Sequence, residues 1–306
     1  MKRVPQGDFR RQNRGGKGRK GMTTKDEDVI AQIMTANSHD YLLFFTNQGR
    51  LFRMKAYEVP QATLPAKGTA AVNLLNMHPE EKITAIIKQE EKINDGYLFM
   101  TTKKGTIKKT PLKDYTNIRS NGLVTIKLDN GDELKWIQAT TGKNDIIIST
   151  SAGQAVRFNE SDVRAMGRAA RGVRGIRLRP RDEIVGMDVI VDDAQKLLAV
   201  SANGYGKITA AANFPAHKRG GVGVKVAAVT AKTGPIVAVH TLDPAAKEVI
   251  MMSTKGQAIR VAMKEIPVLG RATQGVRIMK MADGDTVASI GTVLPEDEES
   301  TSVKEK

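Results

Sequence analysis

One short pattern recurs about every 50 residues along this 306-residue chain, and any fold has to accommodate each copy in the same way. An apolar run is followed by Thr or Ser, two variable residues and Gly, then by a second short run carrying basic residues. The runs are 41–46, 97–102, 145–150, 197–201 and 249–253, with Gly49, Gly105, Gly153, Gly204 and Gly256 as their glycines. Those glycines lie 56, 48, 51 and 52 positions apart, a period typical of propellers and solenoids.

The residue chemistry of each copy is that of a β-hairpin. Leu42-Leu43-Phe44-Phe45 and Ile146-Ile147-Ile148 are short, apolar and rich in β-formers, as strands buried on both faces are. Asn47-Gln48-Gly49 and Ala202-Asn203-Gly204 are turn signals in which Gly supplies a positive φ. The stretch after the turn, Arg50-Leu51-Phe52-Arg53-Met54 for example, alternates basic with apolar residues. That alternation predicts one buried face and one face showing cations to solvent. Some twenty residues later a Gly opens a further alternating strand, as in 122–128, 172–178, 221–226 and 275–280, and another apolar stretch follows, such as 82–87 or 182–191. Four strands per unit describe a propeller blade, so the expected class is all-β. The blades are expected at 41–90, 96–141, 145–192, 196–243 and 248–294. Residues 1–36 read as part of a sixth, because Lys2-Arg3-Val4-Pro5 aligns with Lys108-Lys109-Thr110-Pro111. The first blade is then either short or begun before Met1. A WD40 or kelch propeller is disfavoured, since no Trp-Asp dipeptide occurs and Trp136 is the only tryptophan.

Charge narrows the partner. Lys and Arg number 48 against 33 Asp and Glu, a net of +15 that favours a polyanion, either nucleic acid or an acidic membrane. No apolar run is long enough to span a bilayer, and no apolar h-region follows the basic N-terminus, so a cytoplasmic location is expected. The absence of cysteine removes disulfides, thiolate zinc sites and thiol nucleophiles. Residues 295–306 are acidic around Glu296, Asp297, Glu298 and Glu299 and are expected to form a disordered tail. With aromatics at 4%, base stacking on single strands or RNA is disfavoured against duplex binding.

The densest cationic segment is Arg10-Arg11-Gln12-Asn13-Arg14-Gly15-Gly16-Lys17-Gly18-Arg19-Lys20-Gly21. Closely spaced glycines let a backbone approach a phosphate, and Arg and Lys add charge-assisted bonds. Weaker counterparts recur in register at Ala169-Ala170-Arg171-Gly172 and Lys218-Arg219-Gly220-Gly221, which a disordered RGG tail would not produce. Other expected contacts are Lys108, Lys109, Arg164, Arg168, Arg171, Arg174, Arg177, Arg260 and Arg277, with Lys55, Arg157 and Lys207 as further once-per-blade cations. A GxGxxG match at 16–21 has neither a preceding apolar strand nor a following helix, which argues against a dinucleotide fold. Neither a Walker A sequence nor GxSxG occurs, and His39, His78, His217 and His240 lack metal-site spacing. No catalytic or metal residue is therefore expected.

Residues 12–18 resemble the glutamine-arginine-arginine-glycine-glycine-basic-glycine box of the DNA gyrase A C-terminal domain family, with Asn13 where that family has a cation. The flanking Lys2-Arg3-Val4-Pro5, Asp8-Phe9-Arg10 and Gly21-Met22 are similar too. The resemblance implies a six-bladed β-pinwheel, a propeller-like disc whose neighbouring blades exchange a strand, over residues 1–294. It also implies positive-handed wrapping of duplex DNA as the non-catalytic part of a bacterial, nucleoid-associated enzyme. The partners would be the remainder of gyrase A, together with gyrase B, in an A2B2 heterotetramer, with ATP and Mg bound elsewhere. The alternatives are a topoisomerase IV-type bending domain and a basic propeller scaffold for acidic proteins.

Overall fold

The computed structural model describes residues 1–5, 34, 36–63, 66–89, 95–116, 118–255 and 257–293. Every regular element in them is a strand or a short 3₁₀ turn. The strands are β1 (Tyr41–Thr46), β2 (Arg50–Lys55), β3 (Ile83–Gln89), β4 (Tyr97–Thr102), β5 (Thr106–Pro111), β6 (Leu123–Val124) and β7 (Leu134–Thr140). They continue as β8 (Asp145–Thr150), β9 (Gln154–Asn159), β10 (Val173–Arg174), β11 (Ile184–Ile190), β12 (Lys196–Ser201) and β13 (Tyr205–Ala210). The last are β14 (Val224–Lys225), β15 (Ile236–Leu242), β16 (Glu248–Ser253), β17 (Ala258–Ala262), β18 (Val276–Arg277) and β19 (Val287–Val293).

Four sheets have four strands each, in the orders β3-β1-β2-β6, β10-β5-β4-β7, β11-β8-β9-β14 and β15-β12-β13-β18. A fifth, β17-β16-β19, has three among the described residues. The chain is therefore all-β and built from propeller blades, and five sheets are seen where six blades were expected. The hairpins form where the repeat placed them. The first apolar run of the first four copies is almost wholly buried, whereas that of the fifth leaves Ile250 exposed, and Gly49, Gly105, Gly153 and Gly204 sit at φ between 74° and 82°. Gly256 lies outside the described residues. Each inner strand also pairs with the later apolar strand, with a register shift at the same place in every repeat, such as Phe45/Thr46 and Val200/Ser201.

The fourth strand of each complete sheet is supplied by the following repeat: β6 pairs with β2, β10 with β5, β14 with β9 and β18 with β13. Regular pairing covers only two residues, not the whole alternating stretch read from the sequence. It stops because the next residues leave the sheet edge to bond the turn. Thr125, Gly175, Val226 and Ile278 each donate N–H to the carbonyl of Gly49, Gly105, Gly153 and Gly204, at 2.8, 2.9, 2.8 and 2.8 Å. The glycine is needed on two counts there. Its φ is left-handed, and a Cβ on Gly204 would lie 2.2 Å from the Met279 carbonyl.

Arg3 forms a parallel bridge to Gln61, as Lys109 does to Ala165, Arg157 to Ala216 and Ile208 to Val268.

The chain divides into two compact units: Met1–Thr102, Lys108–Thr141 and Ala165–Gly172 make the first, and Lys103–Ile107, Gly142–Arg164 and 173–306 the second. In the first unit, one core packs Leu43, Phe45, Leu51, Leu98, Tyr115 and Leu134, and another packs Phe44, Phe52 and Val59. In the second, Ile147, Leu197, Phe214 and Val239 form one core, and Leu198, Ile208, Val249 and Met251 another.

Gly204→Ala and Gly284→Ala separate the two reasons for glycine. Both residues have positive φ, but a Cβ on Gly284 meets nothing nearer than the Lys255 amine at 3.8 Å. Each substitution should cost about 1–2 kcal/mol for the left-handed backbone. Gly204→Ala should cost clearly more in urea unfolding, because the exchanged strand has to move as well. Equal losses would show that the turn does not hold that strand.

Candidate nucleic-acid interface

The cations expected at the interface divide into inward and outward groups. β5 is buried along both faces, so the alternation of its sequence does not bring its lysines to the surface. Lys108 is fully buried, and its ammonium donates to the carbonyls of Thr125 and Arg168. Lys109 is 6% exposed, with its amine 4.9 Å from the centre of the Tyr97 ring. Lys207 is 1% exposed and donates to the carbonyls of Gly270 at 2.5 Å and Arg271 at 2.6 Å, and to Thr273 Oγ1 at 3.1 Å. Lys108, Lys109 and Lys207 are therefore turned inward, and not onto the solvent face expected of them. Burial lowers the Lys108 and Lys207 amines to about 8; Asp114 works against that at Lys108, while Arg271 adds to it at Lys207. Lys2 does similar work at the surface, donating to the carbonyls of Thr63 and Ala66 at 3.0 Å each.

Others are neutralised by carboxylates. Arg157 is held by Asp145 at 2.8 Å and Asp193 at 2.7 Å, with its side chain 12% exposed, and so is an internal clamp. Arg171 makes a two-pronged bond to Asp129, at 2.6 and 2.7 Å, and Arg260 bonds Glu248. Both pairs are largely exposed, and such pairs are worth about 0–1 kcal/mol, so a phosphate can displace the acid. Lys55 lies over the Tyr41 ring at 3.7 Å and donates to the His39 carbonyl.

The remaining expected cations face outward. In the second unit Arg164, Arg174, Arg177, Lys218 and Arg277 are exposed; Arg277 reaches Tyr205 Oη at 3.0 Å. Arg219 stands apart from this group: it is half-buried, and its guanidinium is turned back to donate to the carbonyls of Asp162 and Arg174 at 3.1 Å each. In the first unit Arg168 is half-buried, and its backbone carbonyl faces Lys108. The sequence reading did not single out Arg271, Lys127 or Lys280, although Lys127 and Lys280 are exposed and each follows the buried residue of an exchanged strand, Ile126 or Met279. The signal for Arg271 was present: Gly270-Arg271-Ala272 repeats Gly167-Arg168-Ala169.

Arg10, Arg11, Gln12, Arg14, Gly15, Gly16, Lys17, Gly18, Arg19 and Lys20, the whole box, lie outside the described residues, as does the acidic stretch 294–306. Among the described residues there is no metal-binding group of His, Asp or Glu, and no helix long and apolar enough to cross a membrane.

A family model described as the DNA gyrase C-terminal domain, β-propeller, matches residues 1–37, 40–90, 96–141, 144–190, 195–243 and 247–293. The DNA gyrase A protein of Staphylococcus epidermidis is 39% identical over 97% of the chain, and that of Staphylococcus aureus 37% identical over 100%. The chain spans about a third of the length of these relatives, 34% and 35%. A solved DNA gyrase A C-terminal domain is 27% identical with a TM-score of 0.74, covering 96% of each chain. The C-terminal domain of a DNA topoisomerase IV is 25% identical with a TM-score of 0.81, over 90% of this chain and 85% of that one. With six matched stretches running from end to end and the strand-completed blades they describe, the chain belongs to the DNA gyrase C-terminal domain family of β-propellers.

Proposed function

We propose that the chain binds duplex DNA through the outward arginines and lysines of its blades and wraps it in a positive sense. It does so as the non-catalytic C-terminal domain of a bacterial DNA gyrase A protein. The observation that carries this reading is the repeated placement of Arg168, Arg174, Arg177 and Arg277 on or beside exchanged strands, in a chain of net charge +15. The reading includes six blades, the first formed by residues 1–36, consistent with the six stretches matched and with the bridge from Arg3 to Gln61. Its partners are the remainder of gyrase A and the gyrase B protein. ATP and Mg act elsewhere in that cytoplasmic, nucleoid-associated assembly.

The physics is sequence-independent. Cations release counterions from phosphates, so six to ten contacts imply a ~10³–10⁵-fold fall in affinity between about 50 and 200 mM salt. Bending resists this, by about 1–6 kcal/mol for a 20–30 bp site turned through 40–90°. Cations distributed over successive repeats offset that cost; a single patch would not.

A second reading, bending without full wrapping, is favoured by the higher TM-score to the topoisomerase IV domain. Topology separates the two. Relaxed circles nicked and resealed with the chain bound at low salt should gain positive linking number. Strong binding with no shift would favour the second reading and reject wrapping. Neutralising Arg10, Arg11, Arg14 and Lys17 together should abolish the shift and spare most of the affinity; equal loss of both would reduce the box to one more charge patch.

A further inference from the structure

We propose that Arg168 and Arg271 are matched phosphate-contacting arginines, each at a cleft that seats the deoxyribose–phosphate backbone of duplex DNA, and that Lys108 and Lys207 position them from beneath. This rests on the DNA-binding reading and names where in each unit the backbone is held.

Such a cleft is found in each unit. In the first, a space of about 550 Å³ lies between Gly122, Leu123 and Val124 of the exchanged segment and Gly167, Arg168 and Ala169. In the second, about 610 Å³ lies between Val224 and Lys225 and the segment 270–273. No carboxylate lines either cleft. The apolar walls suit the sugar, and the arginine suits the phosphate. The walls are tied by backbone bonds in both units, Lys127 N–H to the Ala170 carbonyl and Ala228 N–H to the Thr273 carbonyl.

The lysine holds the backbone of the arginine it underlies. Ala165, Ala216 and Val268 make the same parallel bridge, and three residues later stand Arg168, Arg219 and Arg271. The residue before the bridging partner is Lys108 in the first case, Val156 in the second and Lys207 in the third. Where a lysine is present it takes the carbonyl of Arg168 or Arg271. Among the described residues neither guanidinium then has a hydrogen-bond or ion-pair partner. With Val156 in that place, Arg219 turns its own guanidinium back to the carbonyls of Asp162 and Arg174. Gly167 and Gly270 supply an independent observation. Neither has a positive φ, and a Cβ on either would meet nothing within 4 Å. The fold does not require glycine at either cleft, and the missing side chain leaves room for a backbone approaching from outside.

The test is the salt dependence of binding to linear duplex DNA. Arg168→Ala and Arg271→Ala should each reduce the log–log salt slope by about 0.9, one phosphate each, while Arg219→Ala leaves it unchanged. Lys108→Met should lose as much slope as Arg168→Ala, and the double variant no more than either. Gly270→Val should weaken binding without lowering the melting temperature. If the unaltered chain binds with a steep slope but Arg168→Ala and Arg271→Ala leave it intact, or Arg219→Ala costs as much, the assignment is overturned and the DNA-binding reading stands. If the unaltered chain shows no salt-dependent binding, that reading falls. Should Lys108→Met fail to fold, the three arginine variants still decide.

Discussion

The carbonyl of the hairpin glycine is the point on which the blades depend. It accepts the N–H of an exchanged segment that is roughly seventy residues later in the chain: Thr125 for Gly49, Gly175 for Gly105, Val226 for Gly153 and Ile278 for Gly204. A two-residue strand such as β6 or β14 has too little pairing to stay on a sheet edge by itself. The hook supplies the missing directional bond, and burial of Ile126, Ile176, Val226 or Met279 behind it adds the hydrophobic part. Completing a sheet this way also covers an edge that would otherwise invite another chain to pair. The cost falls on folding, since each four-stranded blade waits for a distant segment, and long-range pairing of this kind slows folding.

A second theme is the double use of positive charge. A peptide carbonyl at the end of a short strand needs a donor, and in this fold a buried ammonium often provides it. Lys108 and Lys207 are spent in this way, and Arg157 is spent on two aspartates. The net charge of the chain therefore overstates what a phosphate can meet. Buried lysines are not idle, though. By satisfying loop carbonyls from inside they tie down the segment that carries the neighbouring arginine.

The hairpins, their turn glycines and the all-β class were legible in the sequence because each rests on local chemistry: β-branched and aromatic runs, and Gly at a positive φ. At β5 and β13 the alternation of the second hairpin strand does not produce the one wet face that its period implies. Both strands are buried on two sides, so period two says nothing about exposure there. The exchanged strands were legible as alternating stretches but not in length, since their regular pairing ends where the bond to the glycine carbonyl takes over. Arg271 is inconspicuous in the sequence because its segment lacks the nearby second cation that marks Arg171 and Arg219. What sets it apart is the Lys207 beneath it, from a strand more than sixty residues earlier.

The most direct measurement of the central claim is native-state hydrogen exchange at the amides of Thr125, Gly175, Val226 and Ile278. If the glycine carbonyls hold the exchanged segments as an integral part of each sheet, these four should open only with the whole unit. Their free energies of exchange should then match those of Leu43 or Leu198 in the inner strands. Exchange at the low free energy of fraying loops, with the inner strands still protected, would show that the segments merely rest on finished blades and would contradict the account.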